Sequence, residues 1–169
     1  MALWNSLRKE FGYSNDVGIL DLGCGTGLVG EELHKRGYKN IDGVDLTPEM
    51  LEHARAKGVY NSLYQGAMGS PGCGGLGVGA NQCDAAVSVG VFSVAHGKGD
   101  GFDDLVHVVK PGGLIAFSMG EFSLNSPQSG YREKMDELLK EGKWKFLAKH
   151  EGPRYLVDDG AWVFLYQIL

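Results

Sequence analysis

Short apolar runs alternate with amphipathic segments along most of the chain, and this alternation predicts its secondary structure. The apolar runs predict strands at 17–22, 41–46, 62–65, 84–89, 114–119, 144–149 and 161–169. Between them, apolar residues at helical spacing predict helices at 28–36, 47–57, 102–109 and 130–142. Strands that alternate with helices in this way predict a parallel sheet with helices on both of its faces.

The last connection differs from the others because it is too short to hold a crossover helix. Asp158-Asp159-Gly160 predicts a tight turn, so the last two strands should be antiparallel. The predicted fold class is therefore α/β: a Rossmann-like, doubly wound sheet of seven strands, with six parallel strands and one antiparallel strand near the C-terminus.

The length of the chain predicts a single domain, 1–169. Apolar spacing in 1–16 predicts a short N-terminal helix, and 17–169 forms the predicted catalytic core. Half of the residues in 66–79 are glycine, which predicts a loop rather than a helix.

Charge and hydropathy narrow the classes of partner and compartment. The formal net charge of −5 argues against a protein that tracks nucleic-acid phosphates. No apolar run approaches the roughly 18 residues that span a bilayer, so no membrane partner is expected. The N-terminus lacks the apolar centre of a secretory signal, which predicts a cytoplasmic protein with the nucleus as the alternative.

The chain has three cysteines, Cys24, Cys73 and Cys83, and none forms a Cys-x-x-Cys pair. They are interpreted as reduced thiols, with a Cys73–Cys83 disulfide or metal pair as the alternative. The histidines lack zinc-type spacing, so no structural metal is predicted.

The first strand leads into a glycine turn that opens the first helix. Gly25-x-Gly27-x-x-Gly30 matches the dinucleotide fingerprint, with Asp45 as the acid that would bind a ribose. However, Asp21 lies just before these glycines, where it would repel a pyrophosphate. A carboxylate at that position favours a cationic or zwitterionic ligand.

Four segments occur in the order seen in a known family. They are Asp21-Leu22-Gly23-Cys24-Gly25-Thr26-Gly27, Asp45 to Leu51, Cys83-Asp84-Ala85-Ala86-Val87 and Lys110-Pro111-Gly112-Gly113. Together they resemble the motifs of class I S-adenosylmethionine-dependent methyltransferases, over about 17–169. The phrases Gly27-Leu28-Val29-Gly30 and Gly43-Val44-Asp45 most resemble the methyltransferase-like proteins of the Williams–Beuren syndrome region.

The resemblance implies S-adenosyl-L-methionine as cofactor, S-adenosyl-L-homocysteine as product, and a set of binding residues. The implied cofactor-binding residues are Asp21, Gly23, Cys24, Gly25, Gly27, Asp45, Leu46, Met50, Ala67, Met68, Gly90 and Val91. Asp21 would lie near the methionine ammonium, directly or through water, and Asp45 would accept hydrogen bonds from the ribose hydroxyls. Leu46 and Met50 would flank the adenine.

Two further parts of the site follow from the same resemblance. Many relatives carry an aspartate where this chain has Ala67, so Met68 would supply the adenine contacts there. Gly90 and Val91 would lie close to the sulfonium. Cys24 is expected to be a small packed residue rather than a nucleophile.

The acceptor side carries no clear signature. The candidates over the carboxyl ends of the fourth and fifth strands are Ser88, Phe92, Ser93, His96, Glu121 and Asn125. His96 is the candidate general base, and an exposed loop histidine is the alternative. Only about sixteen residues precede the first strand, so either Trp4 and Phe11 supply a minimal cover or the site is unusually open. An open site would take a large acceptor or be completed by a protein partner.

The predicted function is methyl transfer from S-adenosylmethionine to an unidentified small-molecule or protein acceptor. One alternative is a non-catalytic S-adenosylmethionine-binding module that needs a partner. The other is an NAD-dependent oxidoreductase, which Asp21 disfavours.

Overall fold

The computed structural model of the protein describes residues 14–94, 98–156 and 159–169. The strands are β1 Ile19–Leu22, β2 Ile41–Asp45, β3 Ser62–Gln65, β4 Cys83–Phe92, β5 Val109–Gly120, β6 Trp144–Leu156 and β7 Asp159–Ile168. The helices are α1 Leu28–Lys35, α2 Pro48–Ala56, α3 Gly101–Val108, α4 Glu121–Asn125 and α5 Tyr131–Lys140. The predicted N-terminal helix falls largely on 1–13, outside the described residues. Within the described ranges, no helix is long and apolar enough to cross a membrane.

The strands form one sheet in the order β3-β2-β1-β4-β5-β7-β6. The pairs from β3 to β5 are parallel, whereas β7 runs antiparallel to both β5 and β6. This confirms the predicted doubly wound sheet with six parallel strands and one antiparallel strand. The order turns back between β1 and β4, and ligands of such sheets bind at this switch point, beyond the carboxyl ends of the strands.

Strand β1 is buried on both faces, and its alternation assigns each residue to one of them. Leu20 and Leu22 belong to the larger apolar cluster, which includes α3 and α5. Ile19 belongs to the smaller cluster, which includes Leu33 of α1. The same period of two places Asp21 on the α1 face of the sheet.

Aromatic rings in stacked and edge-to-face contact pack the helices of the larger cluster against the end of β4. The ring centroids of Phe92 and Phe102 lie 4.5 Å apart, and Phe92 meets Phe117 at 5.5 Å and Tyr131 at 5.7 Å. Phe92 is therefore anchored in the core, and it holds the end of β4 next to the glycine turn.

Some elements differ from the sequence-based expectation where the apolar pattern is weak. Helix α4 stands where no helix was predicted, because five mostly polar residues are too few to show a helical period. Strands β6 and β7 extend beyond their predicted apolar runs, and Asp159 and Gly160, which were predicted to lie in the turn, are already part of β7. Leu139, an apolar residue of the predicted helix 130–142, is substantially exposed.

Candidate functional site

A cavity of about 700 Å³ opens at the carboxyl ends of β1, β2 and β4. It is lined by Gly23, Cys24, Gly25, Thr26, Leu28, Val29, Val44, Asp45, Leu46, Thr47, Met50, Gly66, Ala67, Met68, Val89, Gly90 and Val91. Ten of the twelve predicted cofactor-binding residues therefore line one cavity. The two that do not are Asp21 and Gly27.

Several lining residues were missed by the sequence analysis, although most stand beside predicted ones. Five of them belong to the quoted motifs, namely Thr26, Leu28, Val29, Val44 and Thr47, and Gly66 directly precedes the predicted residue Ala67. Val89 is different, because it is an exposed apolar residue that directly follows the buried run Ala85–Ser88 of β4. Only the structure shows that exposure.

The glycine turn touches the end of β4. Gly23 has a φ of +75°, and a Cβ built on it would lie 2.2 Å from Cγ2 of Val91. A larger residue would push the turn away from β4. Gly23 is therefore needed for the close contact with Val91 as well as for the positive φ.

The amide groups of the turn point into the protein rather than into an anion site. The N–H groups of Gly23 and Cys24 both donate to the Val44 carbonyl, at 2.8 and 2.9 Å. The Gly25 N–H donates to Oδ2 of Asp45 at 2.8 Å. These three donors are thus already used by β2, which disfavours a pyrophosphate cradle of the dinucleotide type.

Asp45 joins the turn to the start of α2. Its Oδ1 accepts the Thr47 N–H at 2.9 Å, while Oδ2 holds Gly25. Thr47 stands at the N-cap, but its own side chain makes no capping hydrogen bond. An ionised carboxylate has about four lone-pair sites, so Asp45 keeps acceptor capacity towards the cavity.

Two apolar side chains flank Asp45 at the cavity. Leu46 is 64% exposed and Met50 is 41% exposed, which is high for residues of their type. Both line the cavity, so its wall carries apolar surface suited to a flat ring.

Asp21 lies behind the glycine turn rather than in the cavity wall. Its residue exposure is 1%, and its Oδ2 accepts the Tyr60 hydroxyl at 2.7 Å. Its Oδ1 has no hydrogen-bond partner among the described residues. Burial raises the pKa of Asp21 to about 6, although the Tyr60 hydroxyl and the Gly30 N–H act in the opposite direction.

The surroundings of Cys24 and Gly27 indicate packing roles for both residues. Burial, together with the charges of Asp21 and Asp45, raises the pKa of the Cys24 thiol to about 12, so it stays protonated and is a poor nucleophile. Gly27 has a φ of +86° at the N-cap of α1, and a Cβ there would crowd the Tyr60 ring at 3.0 Å. All three cysteines are free, in keeping with the reduced-thiol interpretation.

The loop that carries Ala67 and Met68 is attached to α3 by a buried carboxylate. The Ala67 N–H donates to the Gly75 carbonyl within the loop, and the Gly69 N–H donates to Oδ2 of Asp104. Asp104 is fully buried, and burial raises its pKa. No sequence signal marked Asp104 for this position.

The structure removes two residues from the acceptor side. The Ser88 hydroxyl is buried and donates to the Leu22 carbonyl at 2.8 Å, and Phe92 belongs to the aromatic core. Glu121 and Asn125 are exposed on α4. His96 lies outside the described residues, so its role as a general base stays a prediction.

Sequence comparison identifies the family. A model described as a methyltransferase domain matches residues 19–113, which is more than half of the chain. Human Methyltransferase-like protein 27 is 35% identical over 149 residues, which cover 86% of this chain and 58% of that protein. The chain thus spans less than two thirds of this relative's length.

Solved structures share the fold at low sequence identity. An S-adenosylmethionine-dependent methyltransferase from Methanosarcina mazei has a TM-score of 0.72 and 17% identity, over 96% of this chain and 97% of that one. The [4+2]-cyclase SpnF has the same TM-score and identity, over 99% of this chain and 80% of that one. The sheet order, the cavity at its switch point and the family match agree. The chain therefore belongs to the family of class I S-adenosylmethionine-dependent methyltransferases, and family and fold together imply S-adenosylmethionine as its cofactor.

Proposed function

We propose that the chain binds S-adenosylmethionine in the cavity and directs its methyl group to an acceptor, either a small molecule or a protein. The observation that carries this proposal is the Asp21 carboxylate, which is buried behind the glycine turn with one oxygen lacking a partner among the described residues. A buried acceptor of this kind needs a donor, and a cationic donor suits it best.

The polarity of the turn favours an aminocarboxylate over a phosphate. Asp21 supplies negative charge, and the Gly25 N–H is already taken by Asp45. An NAD-dependent oxidoreductase would place two phosphate charges against this surface, which the site would repel. The methionine ammonium carries the opposite charge. Because Asp21 does not line the cavity, we place a water molecule between its carboxylate and the ammonium.

Asp45 and its apolar neighbours suit the nucleoside. The spare lone pairs of Asp45 would accept the two ribose hydroxyls, while Leu46 and Met50 would cover the faces of the adenine. Ala67 presents no side-chain acceptor to the adenine, so backbone groups near Met68 would meet its edge. The site would thus recognise the ribose through hydrogen bonds to a charged carboxylate, and the base through apolar surface that fits its faces.

The chain contributes positioning more than acid–base chemistry. When bound, S-adenosylmethionine supplies an electrophilic methyl group on a sulfonium. Val89, Gly90 and Val91 form the wall at the end of β4, and they would exclude water and orient the acceptor's approach.

A second candidate is a cofactor-binding module whose acceptor side a partner protein completes. Two observations favour it. First, Ser88 and Phe92 are buried in the core and do not face an acceptor. Second, SpnF has the same fold but is a [4+2]-cyclase, so the fold is not limited to proteins named as methyltransferases.

Calorimetric titration with S-adenosylhomocysteine and with NADH tests the ligand. We expect S-adenosylhomocysteine to bind and Asp45→Ala to weaken it at least about tenfold, because hydrogen bonds to a charged group contribute about 1.5–3 kcal/mol. Asp42→Ala is the matched control: Asp42 lies on the same strand and accepts the Ser62 N–H at 3.0 Å, but it does not line the cavity. Binding of NADH alone would overturn the proposal, and equal losses in both variants would refute the ribose assignment.

Radiolabelled methyl transfer into cell extract separates the enzyme from the module. A labelled product that depends on Asp45 supports the enzyme. Persistent absence of label from a protein that binds the cofactor favours the module.

A further inference from the structure

Tyr60 lies in the connection between α2 and β3, outside every motif and outside the cavity wall. Nevertheless its hydroxyl reaches across the fold and donates to Oδ2 of Asp21 at 2.7 Å. It is the side-chain hydrogen-bond partner of this carboxylate among the described residues. The hydroxyl therefore acts on the buried carboxylate to which the proposed function assigns the ligand's cationic group.

Three glycines leave room for the Tyr60 ring. A Cβ on Gly30 would lie 2.3 Å from the tyrosine hydroxyl oxygen, which real Cβ atoms do not do. A Cβ on Gly27 or Gly43 would lie 3.0 or 3.1 Å from ring carbons, tighter than ordinary contact. The turn, α1 and β2 thus pack around the ring on three sides. The position of Tyr60 is therefore defined by close packing.

The hydrogen bond has a fixed direction. Burial, with the charge of Asp21 beside it, raises the pKa of Tyr60 well above its ordinary value, so the hydroxyl keeps its proton and donates it. The groups that act on the Asp21 carboxyl are the Tyr60 hydroxyl, the Gly30 N–H and the Asp45 carboxylate, and the neighbouring Cys24 thiol is uncharged. The two donors favour the charged carboxylate, while burial and Asp45 oppose it.

We propose that Tyr60 is a positioning residue of the cofactor site, which holds Asp21 charged and turned so that Oδ1 remains for the cationic aminocarboxylate end of the ligand. This inference rests on the proposed function. It assigns part of the ligand recognition to a residue that never touches the ligand.

Ligand binding should depend on pH through Asp21. A cation binds the charged form of Asp21, so protons compete with it, and affinity should fall as the pH drops through about 6. Without the Tyr60 hydroxyl, burial is less opposed and the pKa of Asp21 rises. The midpoint of the pH dependence then moves upward, and the loss of affinity disappears at high pH. A variant that merely loosened the fold would lose affinity at every pH.

Tyr60→Phe tests this in two measurements. Carboxyl-carbon NMR of the ligand-free protein, with Asp21 assigned by its absence in Asp21→Asn, gives the pKa directly. Calorimetry with S-adenosylhomocysteine across the same pH range gives the midpoint of binding. We expect both to rise by about one pH unit in Tyr60→Phe. Tyr64→Phe is the matched control, since it removes a hydroxyl from a nearby tyrosine outside the cavity wall.

An upward shift in Tyr60→Phe alone, with pH-independent binding in Asp21→Asn, supports the inference. An unmoved midpoint in Tyr60→Phe, or an equal shift in Tyr64→Phe, overturns it. If wild-type protein binds no S-adenosylhomocysteine, the proposed function fails. A shifted Asp21 pKa in that case would leave the hydrogen bond standing while removing its role towards the cofactor.

Discussion

The glycine turn at 23–30 and the glycine-rich loop at 66–79 line the same cavity, but their glycines are held by different surroundings. In the turn, the space beside Gly23 and Gly30 is taken by side chains of distant segments, Val91 and Tyr60. In the loop, a Cβ on Gly66 would meet the loop's own backbone at Leu76, 2.5 Å away. Gly72 has nothing within 4 Å.

This difference separates a rigid wall of the site from an adjustable one. The turn is enclosed by β2, β4 and the Tyr60 ring, so its shape follows from the whole fold. The loop is attached to α3 through Asp104, and Leu76 and Val78 at its far end belong to the core, but its tip around Gly72 has no close neighbours. Segments with few contacts to the core open at lower free energy than core elements do, so we expect the tip of the loop to be more mobile than the turn.

Each wall depends on a buried aspartate with one oxygen lacking a partner among the described residues. Asp21 is held by the Tyr60 hydroxyl, and Asp104 accepts from the Gly69 N–H. In the proposed site, Asp21 attracts the cationic group of the ligand, whereas Asp104 attaches the loop to α3.

The largest effect is expected for Gly30→Ala, which adds a methyl group where the Tyr60 hydroxyl stands. We expect it to lower the free energy of unfolding by about 1–3 kcal/mol and to weaken cofactor binding, because the ring must move off Asp21. Urea denaturation and calorimetry measure the two losses.

The control for Gly30→Ala is the Tyr60→Ala background. With the ring gone, alanine at position 30 should stabilise the protein by up to about 1 kcal/mol, as its helix propensity predicts. An equal destabilisation in both backgrounds would show that the ring is not the cause.

A smaller effect is expected for Asp104→Asn, which weakens the attachment of the loop. We expect a loss of about 1 kcal/mol in stability and faster hydrogen exchange confined to 66–79, with a milder loss of cofactor affinity than Gly30→Ala. Asp103→Asn is the matched control, since Asp103 pairs with Lys134 at the surface, 2.9 Å away. Faster exchange across the glycine turn as well would contradict the separation of the two walls.

The smallest effect is expected for Gly74→Ala in the loop. Gly74 has a φ of −73°, which any residue adopts, and its nearest neighbour to a new Cβ is the Pro71 carbonyl at 4.0 Å. Alanine should stabilise the protein slightly, by about 0.4–1 kcal/mol, through the unfolded chain, and leave affinity unchanged. Thermal denaturation of Gly74→Ala and the wild-type protein measures the difference in stability. Clear destabilisation would mean that the loop is packed more tightly than its contacts indicate.

Local signals predicted much of the fold. Strand β3 occupies its predicted bounds, and Gly37, at a φ of +96°, stands just beyond α1 as expected of a helix stop. Pro48 opens α2 after Thr47 at the N-cap. Helix α4 was missed because its five residues are too few for a period to show.

The sequence by itself determined the order of most elements along the chain, the glycine turn, and the acids Asp21 and Asp45 at the ends of the first two strands. Turns, caps and apolar periods are properties of neighbouring residues, so they can be recognised without the fold. Only the tertiary structure decided how those acids are used. Tyr60 and Asp21 are 39 positions apart in the chain, and Gly69 and Asp104 are 35 apart. A hydrogen bond over such a separation leaves no periodic trace, and the pKa of a carboxyl group depends on burial that only the assembled core creates.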